Sequence, residues 1–215
     1  VIWMYGLISN LYQSMFEYDK ALDYNQKSLE ILLKNNDEFH VANVYCVMAT
    51  NYIEKLEFSK AKELLHKANA LYTKLKDDQG ELRVKSHLGT WYYRQKEFQN
   101  AIHYFTEALA IKSDRVRAIC ERSLGIIYLE MNDGVEAKKW LTKALDFYSK
   151  TESTGNLPIV YLKLAQTDSL LGDFKSAYIN YQNYIRYEVD QKFSLLDAEK
   201  LALKYEFDKK EAIAK

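Results

Sequence analysis

Leu88-Gly89-Thr90-Trp91-Tyr92, followed nine residues later by Ala101-Ile102-His103-Tyr104-Phe105-Thr106-Glu107-Ala108, is the passage that decides the fold. Gly89 and Tyr92 stand three apart, so one helical turn places both on a single face. Ala101, Phe105 and Ala108 repeat the arrangement on a second helix, with small residues where a neighbour must come close. The passage recurs along the chain. Tyr18-Asp-Lys-Ala21, Phe58-Ser-Lys-Ala61, Phe98-Gln-Asn-Ala101 and Phe174-Lys-Ser-Ala177 fall into register, and Gly134-Val-Glu-Ala137 joins them with Gly in the aromatic slot. The alanines are spaced 40, 40, 36 and 40 residues apart. Twelve residues before each lies Ser9, Ala49, Gly89, Gly125 or Ala165, and three beyond that Tyr12, Tyr52, Tyr92, Tyr128 or, as the exception, Asp168. Seven residues after each lies Ser28, Ala68, Ala108, Ala144 or, in the fifth unit, Tyr184.

Composition agrees with a helical chain. Its 215 residues contain one proline and seven glycines, far fewer breakers than the turns of a sheet protein consume. An apolar content of 48% excludes disorder, because such a chain can bury enough surface to offset its ordering entropy. Thirty basic and thirty acidic residues give zero net charge, which argues against a nucleic-acid partner for this segment. No run of about 18 apolar residues is present, so no membrane span is expected. Cys46 and Cys120 are 74 residues apart and form neither a disulfide framework nor a zinc pattern.

Five consistent copies of this pattern resemble the tetratricopeptide repeat. The resemblance implies an all-α fold, a right-handed α-α superhelix of five helical hairpins over residues 1–191. The repeats are expected at about 2–35, 42–75, 82–115, 118–151 and 158–191. A period of 40 against the family's usual 34 calls for longer helices or longer loops. The stretches 76–80 and 151–157 read as loops between repeats, with Pro158 opening the next helix. Gly89 and Gly125 read as close-packing sites, and Gly134 and Gly172 as turns inside a repeat. Gly80 and Gly155 are placed in the inter-repeat loops. Asp168 and Tyr184 depart from the pattern on surfaces that would meet a following repeat. Residues 192–215 hold no Gly or Pro and read as one capping or linking helix, which also offers a route to a homodimer.

That tail, Lys204-Tyr-Glu-Phe-Asp-Lys-Lys-Glu-Ala-Ile-Ala-Lys215, and the long period resemble the sensor regions of Bacteroidetes-type signalling proteins. There, such a helix continues into a membrane span and a histidine kinase or related output domain. Both ends of the chain read as interior points of a longer protein. The resemblance implies a periplasmic sensor region; without it, a cytoplasmic chain is the reading.

Chemistry has little footing. His40, His66, His87 and His103 belong to no metal motif, and no phosphate loop, nucleophile elbow or paired-acid signature occurs. No enzymatic activity, cofactor or metal is expected of this segment. Binding is the live class. In this family the first helix of each repeat lines a concave groove. The third repeat places Arg83, His87, Thr90 and Arg94 at i, i+4, i+7 and i+11, one polar stripe on one helix face. Asn10 and Asn43 on one side and Arg122 on the other extend the expected groove. Arginines in this arrangement suit a carboxylate or an acidic peptide segment. The alternative is an ordinary solvated face compensated by Glu54 and Glu130. Tyr5, Tyr12, Tyr45, Tyr52, Tyr92, Tyr128 and Tyr161 are expected to pack between helices. Tyr178, Tyr181, Tyr184 and Tyr187 form a stripe suited to receiving the 192–215 helix. The expected function is protein or peptide binding by the sensor portion of a bacterial signalling protein. A cytoplasmic adaptor scaffold and a quorum-peptide regulator are the alternatives.

Overall fold

The computed structural model describes residues 2–151 and 154–189. The expected 192–215 helix, and any homodimer through it, lie outside the described residues. The chain divides into two compact units whose boundary falls between Leu71 and Tyr72, inside a helix. The first unit holds α1 (Ile2–Ser14), α2 (Tyr18–Lys34), α3 (Glu38–Glu54) and most of α4 (Phe58–Leu75). The second holds α5 (Asp78–Arg94), α6 (Phe98–Ala108), α7 (Asp114–Glu130), α8 (Gly134–Lys150), a 3-10 turn at Thr154–Asn156, α9 (Leu157–Leu170) and a helical stretch over residues 174–189. Among the described residues the fold is all-α. In the second unit α5 pairs with α6 and α7 with α8, while α5 touches α7 and α7 touches α9. First helices therefore line up with first helices.

The long period resides in the helices. α3, α4 and α5 run for 17, 18 and 17 residues. They are joined by turns at 55–57 and 76–77. Stretch 76–80 is accordingly not a loop: Gly80 lies inside α5 and is buried. The single period of 36 has an equally local cause. α6 stops after 11 residues and is followed by a five-residue connection over 109–113.

Short turns need a left-handed residue, and the same hydrogen bonds recur at each. Glu17, Glu57, Glu97, Asp133 and Asp173 donate their backbone N–H to the carbonyls of Tyr12, Tyr52, Tyr92, Tyr128 and Asp168 at 2.9–3.0 Å. The residue before each has positive φ: Phe16, Leu56, Lys96, Asn132 and Gly172. This is the six-to-one closure of a helix C-terminus. Only Gly172 takes it without a steric penalty. Asp37, Asp77, Ser113 and Asp133 then cap the following helices by accepting backbone N–H bonds.

Packing is set by size complementarity at one repeated contact. A Cβ on Gly89 would lie 2.8 Å from the Phe105 ring, and one on Gly125 would lie 2.6 Å from Leu141. Both partners are fully buried. Glycine here serves close approach, as the sequence suggests. Gly134 does too: it opens α8 with Leu171 2.9 Å from its missing Cβ, so it is a packing residue and not a turn. The wedge tyrosines behave as expected of core aromatics. Two of them face the residue twelve positions on. Tyr12 stacks on Tyr24 at 5.7 Å, and Tyr92 on Tyr104 at 5.2 Å. Tyr161 stacks instead on Tyr187 at 5.6 Å.

The fifth hairpin replaces its wedge pair with a polar one. Asp168 is only 1% exposed and accepts from Asn180 at 2.7 Å. Lys138 of α8 reaches it at 2.8 Å and gains basicity from that bond. Asp168 thus faces its own hairpin and the preceding one, correcting its expected place on a surface toward a following repeat. Tyr178 and Tyr181 remain exposed, 64% and 49%.

Opposite outcomes are expected at two helical glycines. Gly89→Ala should lower stability by about 1–3 kcal/mol through the clash with Phe105. Gly6→Ala, with nothing within 4 Å, should raise it by about 0.5–1 kcal/mol through helix propensity alone. Urea-unfolding midpoints measure both, and a Gly89→Ala protein of native stability would refute the close contact.

Candidate peptide groove

α5 is fixed before its outer face is considered. Asp77 caps it by accepting from the Gln79 N–H at 3.1 Å, and Asp78 and Glu81 favour its positive N-terminal end. Val84, Gly89 and Trp91 are buried on the inner side. Arg83, His87, Thr90 and Arg94 share one strip of the helix, flanked by the buried Ser86 and Trp91. Arg94 is exposed, and the remaining three are half-buried. Ser86 donates to the Arg83 carbonyl at 2.8 Å, and Thr90 to the Ser86 carbonyl at 3.3 Å. Both hydroxyls thereby satisfy themselves on their own helix.

His87 is the perturbed group of the stripe. Burial pushes its imidazole down to about 4, and the Arg83 charge one turn away acts in the same direction. It is neutral at pH 7, so the stripe carries two positive charges, from Arg83 and Arg94, with a neutral ring and a hydroxyl between them.

The other expected groove residues lie on other helices. Asn10 is exposed on α1, and Asn43 donates from Nδ2 to the Phe39 carbonyl at 3.0 Å on α3. Both belong to the first unit. Arg122 is half-buried and donates from Nη1 to Asn156 Oδ1 on the 3-10 turn. Its Nε is buried without a hydrogen-bond partner. It braces α7 against that turn.

One contact escapes sequence reading in detail. Glu130 Oε2 accepts from Lys96 at 2.8 Å and Oε1 from the Tyr93 hydroxyl, which clips the end of α5 to the end of α7. Burial pushes the Glu130 carboxyl up, yet the bonds from Lys96 and Tyr93 and the charge of Lys163 hold it below the usual range. The repeat register contains the signal, because Glu130 occupies in α7 the position that Arg94 holds in α5.

Elsewhere the chemistry is sparse. His103 lies 3.8 Å from Glu107, whose carboxylate also meets Lys85 at 3.0 Å. No group of three or more His, Cys, Asp or Glu among the described residues could hold a metal. Burial pushes the Cys120 thiol up to about 12, which makes it a poor nucleophile. No helix among the described residues is long and apolar enough to cross a membrane.

The depressed His87 value has a consequence for stability. Its neutral form favours folding above the unfolded-state value near 6.5, and that contribution is lost as pH falls toward about 4. His87→Gln should therefore flatten the loss of stability between pH 7 and pH 4.5 measured by urea unfolding. An unchanged pH dependence would show that His87 is solvated and ordinary.

Comparison with known proteins agrees with this architecture. The tetratricopeptide repeat family model matches residues 40–114. No curated protein matches the chain. Among solved structures, aspartyl phosphate phosphatase F from Bacillus subtilis superposes with a TM-score of 0.68 at 18% identity. The match covers 94% of this chain and 59% of that one. BtubC from P. vanneervenii gives 0.66 at 19% identity, over 87% of this chain and 80% of that one. A signal transduction ATPase with numerous domains and a tetratricopeptide repeat sensor, from Pyrococcus horikoshii, gives 0.66 at 18% identity. That match spans 92% of this chain but 31% of the ATPase. The match to the tetratricopeptide repeat model is confined to residues 40–114, and the solved structures share the all-α fold over most of the chain.

Proposed function

We propose that the second unit recognises an acidic segment of a peptide or protein along α5. The sensing portion of a bacterial signal-transduction protein is the role in which it does so. The carrying observation is the stripe Arg83–His87–Thr90–Arg94 on one face of a helix that is held in place by the buried Val84, Gly89 and Trp91. Tetratricopeptide repeats are protein-interaction modules, and the Pyrococcus horikoshii ATPase carries its repeats as a sensor. Both support the reading.

The stripe specifies its ligand. Arg83 and Arg94 are eleven residues apart, about 16 Å along a helix. An extended segment covers that distance in about five residues. Two carboxylates spaced so can each take a charge-assisted pair from one guanidinium. The uncharged His87 and Thr90 lie between them and favour a polar, uncharged middle. Coupling to an output domain requires that the ligand bind two arrangements of the repeats with different affinity.

A peptide array varying the spacing of two acidic residues tests the reading. Capture should peak at an even separation of about four or six, which puts both carboxylates on one face of an extended segment, and vanish in Arg83→Glu/Arg94→Glu protein of unchanged helicity. Equal capture by the reversed protein would remove the proposal.

A further inference from the structure

A second feature lies in the same unit, between α7 and α8, and has no part in the α5 stripe. It is a cleft of about 590 Å³ lined by Asp114, Arg117, Glu121, Lys143, Asp146 and Phe147, with Thr142 and Lys150 at its margin. Its origin can be traced to the 36-residue period. In the first unit the late turns of α2 carry Leu29 and Leu32, which join a core with Val41, Tyr45 and Leu71. The counterparts of Leu29 and Leu32 in the third hairpin are Leu109 and Lys112, and α6 has already ended at Ala108. The counterparts of Val41, Tyr45 and Leu71 in the fourth hairpin are Arg117, Glu121 and Phe147, the very residues that line the cleft. The positions that are apolar core in the second hairpin are thus charged in the fourth, beside a helix that ends early.

The charges in the cleft are unevenly satisfied. Arg117 is paired with Asp114, and Lys150 with Asp146 at 2.6 Å. Lys143 sits over the Trp140 ring at 4.4 Å. Glu121 is half-buried, and no hydrogen bond or ion pair from the described residues reaches it. Burial pushes its carboxyl up, against the charges of Lys143 and Arg117 and with those of Asp114 and Asp146. A half-buried carboxylate without a partner is costly unless something supplies the missing donor. Arg117 and Lys150 are held in ion pairs, Lys143 lies over Trp140 and acts on Glu121 only through its charge, and the Phe147 ring lines the same cleft, where it can meet a flat cation.

We infer that the α7/α8 cleft is a binding site for a guanidinium or primary ammonium group, with Glu121 as its counter-ion and Phe147 as its stacking wall. Guanidinium is favoured because its planar fork can take both carboxylate oxygens while lying on the ring. The group could belong to an arginine in a peptide or to a free alkyl guanidine, and the probes separate these sources.

The test is titration of the native chain, followed by amide NMR, with N-acetyl-arginine amide, agmatine and the neutral N-acetyl-citrulline amide. Acetyl-arginine amide should shift resonances over 117–121 and 143–150 at millimolar concentration. Glu121→Gln should weaken that binding at least about tenfold. Phe147→Leu, which keeps an apolar side chain, should weaken it less. Agmatine binding equally well assigns the site to the free cation, and weaker agmatine binding assigns it to a peptide-borne arginine. Arg83→Glu/Arg94→Glu protein should keep the effect, separating this site from the α5 groove. No shift at millimolar ligand, equal shifts with the citrulline compound, or undiminished affinity in Glu121→Gln would overturn the proposal.

Discussion

The close approach of paired helices at a residue without a side chain is the contact on which the rest of the second unit depends. Gly89 receives the Phe105 ring, and Gly125 receives Leu141, each at a distance that a Cβ would close. The same register reads Ala49 with Leu65 and Ser9 with Asn25 in the first unit, each of them buried. A small residue on one helix and a larger one on the next fix both the spacing and the rotation of the first helix. Rotation decides which residues of α5 look outward. With Gly89 held against Phe105, Arg83, His87, Thr90 and Arg94 fall on the opposite side.

Helix length is the second determinant, and it explains what is peculiar to this chain. After α2, of 17 residues, the positions covered on the next hairpin are the apolar Val41 and Tyr45, whereas after α4 Glu81 and Lys85 hold the same places. α6 is shorter, and the corresponding positions of the fourth hairpin become Arg117 and Glu121.

Much of this was legible in the sequence. The register of Ala21, Ala61, Ala101, Ala137 and Ala177 identifies the hairpins, because every copy must bury the same face against its neighbour. The glycines were only half legible. Gly89 and Gly125 follow from their place in the register, whereas Gly80 and Gly134 look like turn residues and instead lie in helices, against Tyr72 and Leu171. Of the left-handed turn positions only Gly172 was legible as a turn, since Phe16, Leu56 and Lys96 occupy a conformation that sequence reasoning reserves for Gly or Asn. Asp168 was visible as a departure, but its partners Lys138 and Asn180 are a tertiary matter. In the groove, periodicity gave the α5 stripe. It could not give the neutral state of His87, which depends on burial, or the attachment of Arg122 to Asn156.

The two candidate sites of the second unit have complementary chemistry. α5 offers guanidinium groups to a carboxylate, and the α7/α8 cleft offers a carboxylate to a cation. The central claim is that α5 is the recognition surface. A crystal structure with the best acidic peptide from the array tests it most directly. The account requires peptide carboxylates within hydrogen-bond distance of both Arg83 and Arg94. A peptide bound elsewhere, with those guanidinium groups untouched, would contradict it.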